Sequence, residues 1–214
     1  MERIEKIGLH IALEGIDGCG GTTQCKLLAE YLRTNDLKVY TTQEPSSNEI
    51  GVLLRKYLKD PNIHPSTDAL LFAADRSHHF FNEIKPKLEA NYIVISDRFL
   101  ESSIAYQAAQ SEDISIKWVQ TLNKFVKRPD ITIVLDILPE TSLKRKGDQK
   151  LEKFEERNFL EKVRKVYLKR ARQEDYFIIN SEESIENVQK KVREIVMKYI
   201  KDDIKQFKDQ SKKS

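Results

Sequence analysis

Short apolar runs recur along the chain at IGLHIALE (7–14), KVYTTQ (38–43), YIVISD (92–97), ITIVLDI (131–137) and YFIIN (176–180). They are rich in β-branched residues and mostly apolar at consecutive rather than alternate positions, as strands covered on both faces are. Stretches with helical spacing separate them, at 22–35, 49–59, 66–90, 101–126, 139–146, 154–174 and 184–200. In the last, Ile185, Val188, Val192, Ile195, Val196 and Tyr199 share one stripe. In 66–90, Leu70, Leu71, Ala74, Phe81, Ile84 and Leu88 form the core stripe, while Phe72 and Arg76, four residues apart, share a different face. This alternation predicts an α/β fold with one strand per run, a five-stranded parallel sheet, and helices on both of its faces.

Length and charge narrow the classes. The 214 residues fit one domain over 1–200, with a polar tail at 201–214. Basic and acidic groups number 37 and 34, a net charge of +3, which gives no support for a nucleic-acid partner. No run approaches the ~18 apolar residues needed to span a bilayer, and MERIEKIGLHIALEG lacks the apolar core of a secretory signal. Cys19 and Cys25 are too widely spaced for the first pair of a zinc site, and no second pair follows. A cytoplasmic protein with free thiols and no membrane partner is expected. The segment KRKGDQKLEK (144–153), with Lys144, Arg145, Lys146, Lys150 and Lys153, reads as a mobile flap or simply as a solvated face.

Candidate chemistry starts at the first strand-to-helix junction. Gly15-Ile16-Asp17-Gly18-Cys19-Gly20-Gly21-Thr22 matches G-x-x-x-x-G-K-[ST] except that Gly21 stands where the lysine belongs. Glycines let backbone N–H groups curve around phosphate oxygens, and the following helix N-terminus adds partial positive charge. Gly15 to Thr23 is thus a candidate ATP-binding loop, with the Thr22 hydroxyl a Mg²⁺ ligand. A plain glycine-rich turn with Thr22 as a cap is the other reading. The lysine normally neutralises charge between the transferring phosphates, so a cation from elsewhere must serve or turnover must suffer. Two further clusters fit a nucleotide. Phe72 beside Arg76 would make a platform for a base. Asp97 and Arg98, at the carboxyl end of a buried strand, lie where open α/β sheets bind ligands; the carboxylate can hold Mg²⁺ and the guanidinium can clamp a phosphate. Ser102 and Tyr106, again four apart, can line the same pocket.

Taken together these segments resemble the thymidylate kinase family. The resemblance runs from about residue 9 to 180, through LEGIDGCGGTTQ, QEPSSNEIG, LFAADRSHH, DRFLESSIAYQ, PDITIVLDILPE and FEERNFLEKVRKVYLKRA. It implies a P-loop kinase fold with a short mobile lid at 144–153, Mg²⁺ and ATP as phosphoryl donor, dTMP as acceptor, and a homodimer joined through helices. The 66–90 stripe could serve that contact or be core. By the resemblance, Phe72 would stack on thymine and Arg76 would bond the base edge. Ser102 or Ser103 would help hold the base, Gln107 would lie beside it, and Tyr106 would lie against the sugar. Asp17 would reach the 3′-hydroxyl, Arg98 would grip the acceptor phosphate, and Thr22 and Asp97 would position the metal. Gly18 at the loop position where some members carry an arginine implies the lid type, with Arg145 and Lys150 as catalytic cations.

The departures are Gly21, Gln43 with Ser46-Ser47-Asn48 around the E-P element, and EKFE (152–155) where D-R-F-E is common. Lysine cannot make the fork of hydrogen bonds that arginine makes. Two alternatives therefore stand beside a thymidylate kinase: a catalytically impaired nucleotide-binding homologue, and a kinase with another nucleoside monophosphate acceptor.

Overall fold

The computed structural model describes residues 8–60, 62–146 and 156–211. The five apolar runs form strands β1 (Leu9–Glu14), β2 (Val39–Gln43), β3 (Ile93–Asp97), β4 (Ile131–Asp136) and β5 (Phe177–Asn180). They pair in the order β2-β3-β1-β4-β5, every pairing parallel. The helices are α1 (Gly21–Thr34), α2 (Glu49–Tyr57), α3 (Pro65–His79), α4 (Lys85–Glu89), α5 (Leu100–Gln110), α6 (Ile116–Leu122), α7 (Pro139–Lys146), α8 (Arg157–Gln173) and α9 (Ile185–Ser211).

β1 is buried along its whole length. Leu9, Ile11 and Leu13 join one core cluster with Leu28 and Leu32 of α1 and Val188, Val192 and Val196 of α9. Ala12 and Val94 join another with Phe80, Phe99, Ile104 and Val119. Burial on both faces explains the unbroken apolar runs. Leu13 and Gln43 both stand opposite Asp97, so the carboxyl ends of β1, β2 and β3 meet at one edge of the sheet. That edge is where a parallel α/β sheet places its ligands.

The helices differ from expectation in three places. The stretch 101–126 is two helices, because the Ser111 hydroxyl accepts from Asp113 N and Ser115 caps α6 by accepting from Trp118 N. Such local side-chain bonds compete with helix continuation. The stripe read in 66–90 is not the core face: Leu70 is 50% and Phe81 45% exposed, and Ala74 is exposed, while Ile84 alone of the stripe is fully buried. α3 buries Asp68, Ala69, Ala73, Asp75, Arg76 and His79 instead. Its polar face has partners: Asp75 accepts from Ser46 N at 2.7 Å, and Arg76 pairs with Glu44 at 2.6 Å. A π-helical turn at Phe80–Ile84 then shifts the phase, bringing Phe80 and Ile84 inward. Finally, α9 runs to Ser211 rather than stopping at 200, there being no glycine or proline to end it.

α5, which carries much of the candidate site, is fastened by a buried ion pair. Arg170 of α8 donates from Nε and one terminal nitrogen to both Glu101 oxygens, each at 2.9 Å, and Tyr176 donates to Glu101 at 2.9 Å. Removing one member of such a pair strands the other in a low-dielectric interior. Glu101→Ala is expected to lower unfolding free energy by about 3–5 kcal/mol in denaturant titrations. A loss within error of zero would show that the pair does not hold α5.

Candidate active site

The loop after β1 is shaped by glycines. Gly15, Gly18 and Gly20 all have positive φ, and Gly20 occupies the left-handed N-cap of α1, where a side chain would be strained. Gly20 supplies no capping side chain, so the first-turn N–H groups of α1 stay directed at the space above the loop. Ile16 and Cys19 fold beneath it and are buried. Burial pushes the Cys19 thiol up to about 11 and raises that of Cys25 too, so both stay protonated; neither is in a disulfide. α7 braces the loop from outside. The Ser142 hydroxyl donates to the Asp17 carbonyl, and Arg145 donates to the carbonyls of Gly18 at 3.3 Å and Ser181 at 2.8 Å. Arg145 therefore stands against the loop. Lys150 lies outside the described residues.

β3 delivers the next two groups. The Thr22 hydroxyl donates to Asp97 Oδ2 at 2.5 Å, joining the loop helix to the strand end. Arg98 follows with φ 69°, a left-handed conformation that costs a non-glycine residue about 1–3 kcal/mol. Its N–H donates to the Leu13 carbonyl at 2.9 Å. The guanidinium donates to Gly15 O at 2.7 Å, Ser102 Oγ at 3.2 Å and Asp17 Oδ1 at 2.6 Å, and lies over the Tyr106 ring. The Tyr106 hydroxyl accepts from Asp17 N at 2.9 Å, so Asp17, Arg98 and Tyr106 form one linked group.

Beneath them is Glu14, the last residue of β1 and fully buried. It accepts from Phe99 N at 2.9 Å, Glu101 N at 3.2 Å, Ser102 Oγ at 2.5 Å and Tyr167 OH at 3.3 Å. Burial raises its pKa to about 7, against the opposing pull of the Ser102 hydrogen bond and the Arg98 charge.

Beside Arg98 opens a pocket of about 160 Å³ lined by Asp17, Glu44, Pro45, Leu58, Phe72, Arg76, Arg98, Ser102, Tyr106 and Gln107. The expected substrate residues thus meet around one cavity, Ser103 excepted. Ser103 stands behind Arg76 and accepts from it at 2.9 Å. Arg76 also donates to Asn123 Oδ1 at 2.9 Å and Phe99 O at 3.0 Å, while its Nε–H has no partner among the described residues. Gln107 is fully buried, and neither its amide oxygen nor its nitrogen has a partner among the described residues. Buried polar groups left unpaired are costly, and Gln107 carries such a donor and acceptor at the wall of this pocket. On the other side, Thr22 and Asp97 line a cleft of about 390 Å³ with Lys26, Gln43 and Ser47. A larger groove of about 750 Å³, between α1 and α9, holds none of the expected site residues.

Glu14, Glu44, Asn123 and Tyr167 escaped the sequence reading. A charged residue closing an apolar run was a signal for Glu14; Tyr167, buried on α8, gave none.

The family model described as Thymidylate kinase matches residues 13–192. The chain belongs to the thymidylate kinase family. It is 45% identical to a probable thymidylate kinase of Pyrobaculum calidifontis over 190 residues, 88% of this chain and 95% of that one. It is 43% identical to a probable thymidylate kinase of Pyrobaculum aerophilum, over 89% of this chain and 97% of the relative. A thymidylate kinase of Thermosipho africanus is 39% identical over 90% and 99%. As a family member, the chain is an ATP-dependent nucleoside monophosphate kinase, and its loop, Arg98 and pocket occupy one sheet edge.

Glu14 gives the site a pH signature. Its pKa in the fold lies above the 4.5 of the free group, so the folded state holds a proton that the unfolded chain releases. Its stabilising contribution is then complete below about pH 4.5 and is lost as pH rises through about 7, a change of roughly 3 kcal/mol. Glu14→Gln cannot titrate. The unfolding free energy of wild type relative to Glu14→Gln is expected to fall by that amount between pH 5 and 8 in denaturant titrations; a pH-independent difference would contradict it.

Proposed function

We propose that this chain moves the γ-phosphoryl of ATP to dTMP, giving dTDP and ADP, with Mg²⁺. The observation that carries the reading is the pocket beside Arg98 with its unpaired Gln107 amide. A thymine edge offers a ring N–H flanked by two carbonyl oxygens. An amide can accept from that N–H and donate to one oxygen. Arg76 only donates, so a carbonyl suits it where the amino group of cytosine would not. Phe72 supplies a face for the ring. Tyr106, pinned through its hydroxyl to Asp17 N, walls the sugar. Ser102 and Ser103 act through Arg98 and Arg76, to which they are bonded.

The acceptor phosphate is already ionised at neutral pH and is itself the nucleophile, so placement and charge neutralisation carry the reaction. Arg98, between loop and pocket, holds that phosphate. Asp17, already bonded to Arg98, receives the sugar 3′-hydroxyl. Gly15 to Thr23 wraps the donor phosphates with backbone N–H groups. The Thr22 hydroxyl and the Asp97 carboxylate are hard oxygen donors that suit Mg²⁺, which needs few protein ligands when phosphates and waters complete its shell. Bound there, the ion neutralises phosphate charge. Arg145, bonded to the loop at the Gly18 carbonyl, supplies charge beside the same phosphates.

We further propose a single kinase domain over 1–200, with lid 144–153 and polar tail 201–214, in a cytoplasmic homodimer. No helix among the described residues is long and apolar enough to cross a membrane. Leu70, Ala74 and Phe81, exposed along α3 and the π-helical turn, supply an apolar face for the helix-to-helix dimer contact.

An acceptor panel tests the function. ADP formation from ATP and Mg²⁺ is expected with dTMP and to be far weaker with dCMP, dAMP and dGMP. Equal turnover on dCMP would contradict the assignment of the pocket, and ATP binding with no turnover on any acceptor would favour a homologue that only binds nucleotides. Gln107→Met, close in length and volume but without the amide, is expected to raise KM for dTMP about tenfold or more while kcat changes less. An unchanged KM would remove Gln107 from base recognition.

A further inference from the structure

Two polar stripes face each other where the end of β2 meets α3. On the strand and the residue after it, Tyr40, Thr42 and Glu44 alternate and so share one side of the chain. On α3 and the π-helical turn, Arg76, His79 and Glu83 recur at helical spacing. They pair in order. The Tyr40 hydroxyl donates to Glu83 Oε2 at 2.9 Å, the Thr42 hydroxyl meets His79 Nε2 at 2.6 Å, and Glu44 meets both His79 and Arg76. An α/β fold ordinarily fills a strand-to-helix seam with apolar side chains. Polar groups are buried there at a cost in desolvation, which points to a task other than packing.

Glu44 shows what that task is. It is buried with Arg76 and His79, and its carboxylate is held from both sides. One oxygen lies 2.6 Å from Arg76 Nη2 and the other 3.3 Å from His79 Nδ1. A carboxylate only accepts, so Nδ1 carries the proton facing it, and Nε2 accepts from the Thr42 hydroxyl. Thr42 thus holds the ring, and the ring holds the carboxylate. On the opposite side, Asn123, Phe99 O and Ser103 draw the Arg76 guanidinium toward α5 and α6. Glu44 opposes them from β2, and it is the one carboxylate paired with Arg76 among the described residues. Glu44 and Arg76 line the pocket beside Arg98, whereas His79 and Thr42 do not.

We propose that His79 and Thr42 are positioning residues for base recognition: through Glu44 they fix Arg76 at the base edge, so the choice of base depends on two side chains that line no part of the base pocket. This rests on the reading of that pocket as the thymine site. An arginine tells a carbonyl from an amino group only while its N–H groups keep their direction. With the Glu44 carboxylate loose, the guanidinium turns toward Asn123, Phe99 O and Ser103, and the preference for a carbonyl weakens.

Steady-state kinetics with dTMP and dCMP as acceptors test this, thermal melts confirming that each variant is folded. His79→Phe keeps a ring but no donor. It is expected to raise KM for dTMP about tenfold and to cut the preference for dTMP over dCMP in kcat/KM by about as much. The kcat with dTMP and the KM for ATP are expected to stay within about threefold, a split that general loosening of the fold would not give. His79→Asn, whose amide nitrogen falls near the Nδ1 position, is expected to recover most of the loss. Thr42→Val removes only the hydroxyl and is expected to move KM and preference the same way by about threefold. The inference is overturned, with the thymine pocket intact, if wild type prefers dTMP and folded His79→Phe keeps that preference. It is also overturned if His79→Phe and His79→Asn lose the preference equally. Should His79→Phe not fold, Thr42→Val decides, and an unchanged preference there overturns the inference. A wild type with no preference for dTMP would overturn the reading of the pocket and this inference with it.

Discussion

Arg98 is held in a backbone conformation it would not choose. The left-handed turn at the end of β3 is costly for an arginine, and the surroundings offset that cost. Its N–H is taken by Leu13 of the neighbouring strand, and its guanidinium spans Gly15 O, Asp17 and Ser102. The turn aims the side chain back across the sheet edge instead of out along α5. The phosphate loop and the pocket thereby share one cation. Everything that fixes β1 against β3 also fixes that geometry, and both strands are buried almost throughout.

Glu14 is the counterpart beneath. A buried carboxylate with four donors around it organises the start of α5 through Phe99 N and Glu101 N, and reaches α8 through Tyr167. Ser102 stands between Glu14 and Arg98 and passes the order of the one to the other. The Glu101–Arg170 pair then locks α5 to α8 from its far side. Polar groups, rather than apolar packing alone, thus give this edge its uniqueness.

The inner strands β1, β3 and β4 were legible because burial on both faces leaves continuous apolar runs; the edge strands β2 and β5, partly exposed, fell where their short β-branched and aromatic runs lie. The loop, the Asp97–Arg98 pair and the Phe72–Arg76 face were legible because special backbone and charge requirements restrict which residues can stand there. The 66–90 stripe was misread for a physical reason. α3 buries charged residues whose partners, Glu44 and Ser46, lie far off in the sequence, and the π-helical turn changes the phase of the apolar positions. Periodicity assumes an apolar inner face and a constant turn, and neither holds here. At Gly21 the sequence shows that the lysine is absent and not that the Asp97 carboxylate lies close to where a Cβ would come.

The central requirement is that Arg98 be the clamp shared by loop and pocket. Steady-state kinetics of Arg98→Lys with ATP, Mg²⁺ and dTMP test it most directly, because lysine keeps the charge but loses the planar fork. The account predicts a fall in kcat of about 10²-fold or more, with the variant folded and its KM for dTMP moved much less. A kcat within a few-fold of wild type would mean that Arg98 serves only to hold the loop in place.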